Sequence, residues 1–383
     1  MTMSHYFDHA ATTPMRPSAI AAWTDVASHV GNPSAIHGAG RAARKVVEES
    51  RETIAAEFGV DPGDIIFTSG GTEADNMAVL GIARARRAHD PGLSTVLVSP
   101  IEHHAVLDAA YGLVDEGFTV LEMPVNETGV VDVDATRDLV DAHADQIALA
   151  TCMWVNNEIG TIQPVEQLTT IMAEHSIPYH CDAVQAGWVT PANPTPFSRA
   201  VSFSLSAHKI GGPMGIGALI LPRDVPIQPI GFGGGQERKL RSGTVPVPLV
   251  ASFAEAVREA SRNHVPELAR LNNLSTRLES ILTSVDADII GNSRTPAITF
   301  ALFPGCSSQD LLVLLDQQDI FVSTGSACTA GVVQPSHVLL ALGRSSEEAL
   351  TGLRFSLGWS TTEKDLDALA TVLPLVVARA RRL

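Results

Sequence analysis

Short apolar runs alternate with longer amphipathic runs through the first half of the sequence, and this alternation constrains the fold more than any other feature. Brief, continuous apolar runs are typical of strands that are buried on both faces. The predicted strands are 64–68, 95–99, 146–150, 177–181 and 201–205. Helical patterns lie between them, such as 41–58, which places Val47 and Ile54 on one face and stops at Gly59. The alternation predicts an α/β fold with a mostly parallel sheet and helices on both faces.

One connection in this pattern is too short for a parallel crossover. The apolar run 216–221 follows the run 201–205 after ten residues that are rich in glycine. A right-handed parallel crossover normally needs a dozen or more residues. We therefore predict that 216–221 is an antiparallel strand in an otherwise parallel sheet.

The sequence is long enough for more than one core. It has 383 residues, and the usual domain size of roughly 100–200 residues predicts two domains. The pattern changes after about Pro248. The elements predicted beyond it are a long helix at 249–285, strands at 297–303 and 320–323, and helices at 336–342 and 363–379. They indicate a second, smaller α/β domain.

Charge and hydropathy exclude some functional classes. Lys and Arg number 26 against 42 Asp and Glu, a formal charge of −16, so a dedicated nucleic-acid platform is disfavoured. A partner that modifies tRNA or builds clusters is not excluded by this charge. No apolar run reaches the roughly 18 residues of a membrane helix, and residues 1–14 lack a basic segment followed by an apolar one. We expect a cytoplasmic protein without a membrane span.

The four cysteines are widely separated in the sequence. None of the four forms a CxxC motif, so a zinc ribbon or a dithiol redox centre is disfavoured. Cys152, Cys181 and Cys306 lie in or beside apolar strands, which predicts that they pack in the core. Cys328 follows a strand in the small-residue stretch 322–331 and should be exposed and mobile, the setting of a reactive thiol. An incidental loop cysteine is the alternative.

The segment 68–76 joins a strand end, a glycine turn and a helix start. Gly71 lies in the turn, and Thr72 with Asp75 forms a capping-box pattern. Free N–H groups and the helix dipole make such a helix start suitable for a phosphate. A simple strand-to-helix turn with a good cap is the alternative.

Lys209 stands just after a buried strand and beside glycines, in the segment 204–213. Burial there would lower the pKa of its amine and free it as a nucleophile toward an aldehyde. Ser206 and His208 offer a hydroxyl and an imidazole suited to a phosphate. A surface lysine in a hairpin is the alternative.

Asp182 and His103 follow two other predicted strands. Asp182 lies at the carboxyl end of a strand, where ligands bind in open α/β sheets, and could hold a pyridine nitrogen protonated so that the ring accepts electrons. A helix N-cap is the alternative. His103 and His104 are adjacent and should point in opposite directions, which disfavours a metal site. An imidazole stacked on a cofactor ring fits His103 better, with a plain loop histidine as the alternative.

Taken together, these segments resemble the cysteine desulfurases of the NifS/IscS type, and the resemblance extends over nearly the whole chain. Several specific motifs occur in the same order as in that family. The matching segments are 8–14, 31–37, 68–76, 155–160, 206–209, 241–246, 323–329 and 353–358.

The resemblance implies an aspartate-aminotransferase-like fold, that is, fold type I of the pyridoxal-phosphate enzymes, normally assembled as a homodimer. It implies a large cofactor-binding domain at 15–250 and a small domain formed by 1–14 and 251–383, which carries the catalytic cysteine loop. The positions that match cofactor-binding residues are Gly71, Thr72, His103, Asn157, Asp182, Gln185, Ser206, His208, Lys209 and Thr244.

The resemblance also implies a role for most of these side chains. Lys209 matches the lysine that binds pyridoxal phosphate covalently, Asp182 the partner of the pyridine nitrogen, and His103 the residue stacked on the ring. Thr72, Ser206 and His208 match phosphate ligands, and Thr244 matches a phosphate contact supplied across the dimer interface. Gln185 and Asn157 match residues near the ring hydroxyl and the substrate.

Two further positions match residues that act on the substrate. Arg354 matches the arginine that binds the substrate carboxylate, for which a planar guanidinium is suited. Cys328, in the form of the motif found with a longer mobile loop, matches the cysteine that receives the sulfur. With Lys209 and His103 as its other catalytic residues, the implied reaction converts L-cysteine to L-alanine and leaves a persulfide on Cys328.

The sulfur would pass to an acceptor protein for iron–sulfur cluster assembly or tRNA thiolation. Family members that deliver sulfur to an iron–sulfur scaffold often carry a C-terminal extension, whereas this sequence stops at 381–383, so the acceptor is left open. Other enzymes of the same fold remain alternatives, namely a selenocysteine lyase, a kynureninase-like hydrolase or an aminotransferase. Cys328 in its loop favours sulfur handling over the last two. A non-catalytic persulfide carrier is a further alternative, which Lys209, Asp182 and His103 disfavour.

Overall fold

The computed structural model describes residues 4–186, 201–325 and 334–383. The strands, in chain order, are β1 His5–Tyr6, β2 Ile65–Thr68, β3 Thr95–Val98, β4 Thr119–Glu122, β5 Ile147–Thr151, β6 Tyr179–Asp182, β7 Val201–Ser206, β8 Gly217–Ile220, β9 Asp288–Ile290, β10 Ile298–Leu302, β11 Ile320–Phe321 and β12 Gly352–Ser356. The α-helices are α1 Pro17–Ala27, α2 Gly38–Phe58, α3 Gly71–His89, α4 His104–Gly112, α5 Val133–His143, α6 Val165–Glu174, α7 Val247–Thr283, α8 Ser308–Asp316, α9 His337–Ala341, α10 Ser346–Ala349 and α11 Glu363–Ala380.

The central sheet is mostly parallel, as the alternating pattern predicts. In the described part of the chain it has seven strands in the order β2-β8-β7-β6-β5-β3-β4. β8 runs antiparallel to both of its neighbours, and the other pairs are parallel. Strands β2, β3, β5 and β8 are buried along their full length because helices cover both faces. The α/β class and the antiparallel strand are therefore confirmed.

The direction of the strands gathers the polar segments at one edge. β2, β6 and β7 lie in the same orientation, so their carboxyl ends meet at the same side of the sheet. α3 begins just beyond β2, β6 ends at Asp182, and β7 ends at Ser206. Lys209 closes a short 3-10 turn, Ala207–Lys209, in the connection to β8.

Local sequence determines where helix α2 begins and ends and which of its faces is buried. Its predicted apolar face is correct, because Val47 and Ile54 are buried. It begins earlier than the predicted 41–58, since the His37 side chain accepts a hydrogen bond from the Gly40 amide and caps the helix at Gly38. It ends at Gly59, which adopts the left-handed conformation with φ 67° that glycine tolerates at a helix end.

The capping box predicted for Thr72 and Asp75 is wrong. Gly70 is the N-cap of α3, and no side chain caps this end. Asp75 instead turns inward, where its carboxylate lies 3.2 Å from Nε2 of the buried His180. A helix packed on a sheet buries one face, and Asp75 lies on it, four residues before the buried Val79.

The second half of the chain forms separate small sheets after the long helix α7. β10 pairs antiparallel with β9 and β12, and β1 near the start of the chain pairs parallel with β11. The pattern predicted β10 and β11, whereas β1, β4, β9 and β12 were not predicted. β4 and β9 are partly exposed, and Arg354 interrupts the apolar residues of β12. Among the described residues, no helix is both long and apolar enough to cross a membrane.

Candidate active site

A cavity of about 410 Å³ opens at the carboxyl edge of the central sheet. Ten of the residues singled out in the sequence line it: Gly71, Thr72, His103, Asn157, Asp182, Gln185, Ser206, His208, Lys209 and Arg354. Thr244 is not part of this lining and is exposed, and Cys328 lies outside the described residues.

The amine of Lys209 lies at the wall formed by the N-terminal segment. It donates hydrogen bonds to the carbonyl oxygens of Ala10 and Ala11, the second at 2.9 Å. Burial lowers the pKa of this amine to about 8, and the positive charge of Arg354 acts in the same direction. A larger fraction of the amine is therefore neutral near pH 7 than in a free lysine, which suits it for attack on an aldehyde.

Asp182 places a carboxylate on the cavity floor. It is 5% exposed, and its Oδ1 accepts a hydrogen bond of 2.8 Å from the Val184 amide. Burial raises the pKa of Asp182 to about 6, and the nearby carboxylate of Asp75 adds to the effect. A carboxylate kept in this poorly solvated position favours a cationic partner, such as a protonated pyridine nitrogen.

The start of α3 provides hydrogen-bond donors. Because the N-cap residue Gly70 has no side chain, it leaves the N–H groups of the first turn open to a ligand beside Gly71 and Thr72. Ser206 and His208 face the same cavity. Burial lowers the pKa of His208 to about 4, so its imidazole is neutral, and its Nδ1 lies 3.2 Å from Oγ1 of Thr12.

His103 is the N-cap of α4. Its Nδ1 accepts a hydrogen bond of 3.1 Å from the Ala105 amide, so in the neutral ring the proton is on Nε2. The side chain lines the cavity. Burial lowers the pKa of His103, although the negative charge of Asp182 acts in the opposite direction. A neutral imidazole at this wall can exchange protons with a ligand.

Arg354 supplies a buried cation from β12. It is 5% exposed, its Nη2 lies 2.7 Å from Oδ1 of Asp8, and its Nη1 donates to the carbonyl oxygen of Asn157 at 2.8 Å. In the part of the chain that is described, the buried Nε has no hydrogen-bond partner. Each terminal nitrogen carries a second N–H, and these two donors can bind a carboxylate.

These groups fit pyridoxal phosphate. The helix start with Thr72, Ser206 and His208 offers a phosphate site, Lys209 an amine for the aldehyde, and Asp182 a carboxylate for the ring nitrogen. The buried guanidinium of Arg354 adds further donors to the same cavity. The phosphate, the aldehyde and the ring nitrogen of the cofactor therefore each have a chemically matched residue in one cavity.

Sequence reasoning missed two buried carboxyl groups near this site. Asp75 lines the cavity, and burial raises its pKa to about 7. The signal was its helical spacing to the apolar residues Ala78 and Val79, which indicates the buried face. Glu102 is 0% exposed, accepts a hydrogen bond of 2.6 Å from the Met153 amide, and has a pKa raised well above its usual value by burial.

Comparisons with known proteins agree with this geometry. The family model for class-V aminotransferases matches residues 5–369. An IscS-like cysteine desulfurase of Mycobacterium tuberculosis is 45% identical, with 98% of this chain and 97% of that protein covered. A solved NifS-like protein superposes with a TM-score of 0.91 at 33% identity, covering 98% of this chain and all of that one.

A further solved structure, SspA in complex with cysteine, is 31% identical with a TM-score of 0.80, covering 92% of this chain and 99% of that one. The likeness to the NifS-like structure confirms the predicted aspartate-aminotransferase type of fold. The chain belongs to the class-V aminotransferase family, and within it to the cysteine desulfurases of the NifS/IscS type.

Proposed function

We propose that this chain binds pyridoxal phosphate in the cavity and converts L-cysteine to L-alanine, with the sulfur transferred to Cys328. The observation that carries the proposal is the meeting of Lys209, Asp182 and Arg354 in one cavity next to an uncapped helix start. When bound, pyridoxal phosphate supplies an aldehyde that reacts with amines and a ring that accepts electrons from the substrate.

Residues of the chain bind the substrate, transfer its proton and stabilise the charge on the ring. Arg354 binds the substrate carboxylate and so orients the molecule, because a guanidinium offers paired donors. Lys209, once its amine is free, moves a proton from the substrate α-carbon, which its lowered pKa favours. Asp182 keeps a positive charge stable at the ring nitrogen, and His103 can hold or release a proton at its Nε2.

Cys328 receives the sulfur in this proposal. Its thiolate attacks the sulfur of cysteine, the carbon–sulfur bond breaks, and the carbon gains a proton, which gives alanine and a persulfide on Cys328. Gly325 lines the cavity and precedes Cys328 by three residues, a span of at most about 10 Å of chain. The thiol is therefore within chain reach of the substrate.

The proposal includes a homodimer and a sulfur-accepting protein. Thr244 is exposed and outside its own cavity, which suits a residue that contacts the partner subunit's phosphate. Phe232, on the same folded segment, is 89% exposed, and burial of such a ring against a second copy is favourable. We retain the cytoplasmic location expected from the sequence, with an iron–sulfur scaffold or a tRNA-thiolating enzyme as acceptor.

The test is the turnover of L-cysteine in the presence of a thiol reductant, with alanine and sulfide measured together. Wild-type protein should form both in equal amounts, and Lys209→Ala should form neither above a small fraction. Lys45→Ala is the matched control, since this lysine is exposed and pairs with Glu49 on the surface. Alanine production by Lys209→Ala close to the wild-type rate would reject the assignment.

A further inference from the structure

Asp8 is the acidic partner of the buried arginine in the cavity. Its Oδ1 lies 2.7 Å from Nη2 of Arg354, and the two side chains are 22% and 6% exposed. Within the described residues, no other carboxylate lies within ion-pair distance of this guanidinium. The pair joins residues 346 positions apart in the sequence, so the fold, and not local sequence, brings them together.

The backbones on either side fix the direction of both side chains. Phe7 and Phe355 are fully buried and pack edge to face, with ring centroids 6.4 Å apart. Successive side chains of an extended chain point to opposite sides. Because these two rings point into the core, their neighbours Asp8 and Arg354 both point to the opposite side, where Arg354 lines the cavity.

The backbone at Asp8 is held from two directions. The Ser356 amide donates to the carbonyl oxygen of Phe7 at 2.7 Å, which ties the segment to β12. The Tyr6 hydroxyl lies 2.9 Å from the carbonyl oxygens of both Asp8 and Thr12, and its single proton is shared between these two acceptors. The carboxylate therefore starts from a fixed position and can hold the guanidinium in one orientation.

The orientation matters because of the donors that remain. A guanidinium has five N–H groups in one plane. Asp8 and the Asn157 carbonyl each engage one terminal nitrogen, which leaves a second N–H on each of these nitrogens. Loss of one of these two anchors would let the plane rotate about the side-chain bonds, and the free donors would no longer face the same point.

We propose that Asp8 is a positioning residue that orients Arg354 for the carboxylate of the amino-acid substrate. This inference rests on the proposed function, in which Arg354 binds that carboxylate. Asp8 does not touch the reacting atoms. Its effect should therefore appear in substrate binding, and only for ligands that carry the carboxylate.

The experiment measures ligand binding without turnover. Asp8→Ala is made in the cofactor-loaded Cys328→Ala protein, and binding is followed by the change in visible absorbance on titration. L-cysteine should bind at least about tenfold more weakly than to the parent, as expected for a lost charged hydrogen bond. L-cysteine methyl ester has no carboxylate, and its affinity should change by less than about twofold.

Asp8→Asn is the conservative variant. Its amide oxygen can still accept a hydrogen bond, so the weakening of L-cysteine binding should be smaller than in Asp8→Ala. Asp365→Asn is the matched control, because Asp365 pairs with His5 at 2.8 Å on the same N-terminal segment but does not contact Arg354. It should bind both ligands as the parent does, with the same cofactor content and melting temperature.

Two results would overturn the inference: unchanged affinity of Asp8→Ala for L-cysteine, or equal weakening for L-cysteine and its methyl ester. Failure of the proposed function is a separate outcome. If wild-type protein forms no alanine from L-cysteine, that function is rejected whatever the Asp8 variants do. If wild-type protein turns over and Asp8→Ala binds normally, only the positioning role is rejected.

Discussion

At the scale of single residues, the chemistry depends on how burial changes protonation. Lys209 has its pKa lowered to about 8, whereas Asp182 has its pKa raised to about 6. Burial is the main cause in both cases, because it disfavours the charged form of each group. The cavity thus keeps an amine that loses its proton readily and a carboxylate that needs a cationic partner.

The first prediction concerns the pH dependence of cofactor capture. The pKa of the Lys209 amine is lowered from the usual 10.5, so the amine becomes neutral at a lower pH. Its reaction with pyridoxal phosphate should therefore reach its full rate at a lower pH than that of an ordinary lysine. With cofactor-free protein, the capture rate followed by visible absorbance should rise through about pH 8 and then level off. Arg354→Ala should move the midpoint upward, because a nearby positive charge is removed. A rate that continues to rise through pH 10 in the wild type would contradict the assignment.

Residue identities at the site were predictable where a motif surrounds them. Lys209 and Asp182 each follow a recognisable strand, so their place at the sheet edge follows from the pattern. The partners of Arg354 and Asp75 were not predictable in this way. Asp8 lies 346 positions from Arg354, and His180 lies 105 positions from Asp75, so only the tertiary fold reveals these contacts.

At the scale of elements, the cavity depends on close packing between β8 and the turn before α3. A Cβ atom added at Gly217 would lie 2.4 Å from the Leu205 carbonyl oxygen and 2.7 Å from the backbone of Gly70. Both neighbours are backbone atoms that cannot rotate away. The proposed phosphate site at the start of α3 thus depends on the absence of a side chain at Gly217.

The second prediction follows from this packing. Gly217→Ala should displace the turn before α3 and weaken pyridoxal-phosphate binding by about tenfold, from a strain of roughly 1–2 kcal/mol. Equilibrium dialysis of the cofactor gives the affinity. Gly112→Ala is the matched control, since a Cβ there meets nothing within 4 Å and φ is −60°. Equal affinity in the Gly217 variant would show that the turn is not constrained by β8.

Elements were predictable where their length and pattern are strong. The antiparallel direction of β8 followed from a ten-residue connection, and α2 and α7 followed from their helical periodicity. β9 is partly exposed, and Arg354 interrupts the apolar residues of β12, so neither shows the continuous apolar run of a buried strand. Their place in a sheet comes from pairing with β10, which the sequence does not encode locally.

At the scale of the whole molecule, residues distant in sequence complete one cavity. Ala10 from the N-terminal segment, Lys209 from the central sheet and Arg354 from β12 all line it. The division into a large domain at 15–250 and a small one from 1–14 and 251–383 remains a prediction. The exposed Thr244 and Phe232 suggest that a second copy adds to the site.

The third prediction is the oligomeric state. Light scattering should give a mass about twice the 40.5 kDa of one chain. Thr244→Ala should keep that mass but retain less pyridoxal phosphate on dialysis, because one hydroxyl donor to the phosphate is lost, a cost of about 0.5–1.5 kcal/mol. An active monomer in light scattering would exclude the composite site.

The central claim is that Cys328 receives the sulfur, and one substitution tests it most directly. Cys306→Ala is the control, because this thiol is buried near Val377 and takes no part in the proposed chemistry. Both variants should purify with bound pyridoxal phosphate, and Cys306→Ala should keep nearly all of its activity.

The measurement is the joint release of alanine and sulfide from L-cysteine by Cys328→Ala. The variant should still bind L-cysteine, seen as a change in visible absorbance, because binding does not need the thiol at position 328. Alanine and sulfide should both fall to near background, because no thiolate attacks the substrate sulfur. Release of both products at close to the wild-type rate would contradict the account and require carbon–sulfur cleavage without a persulfide on this residue.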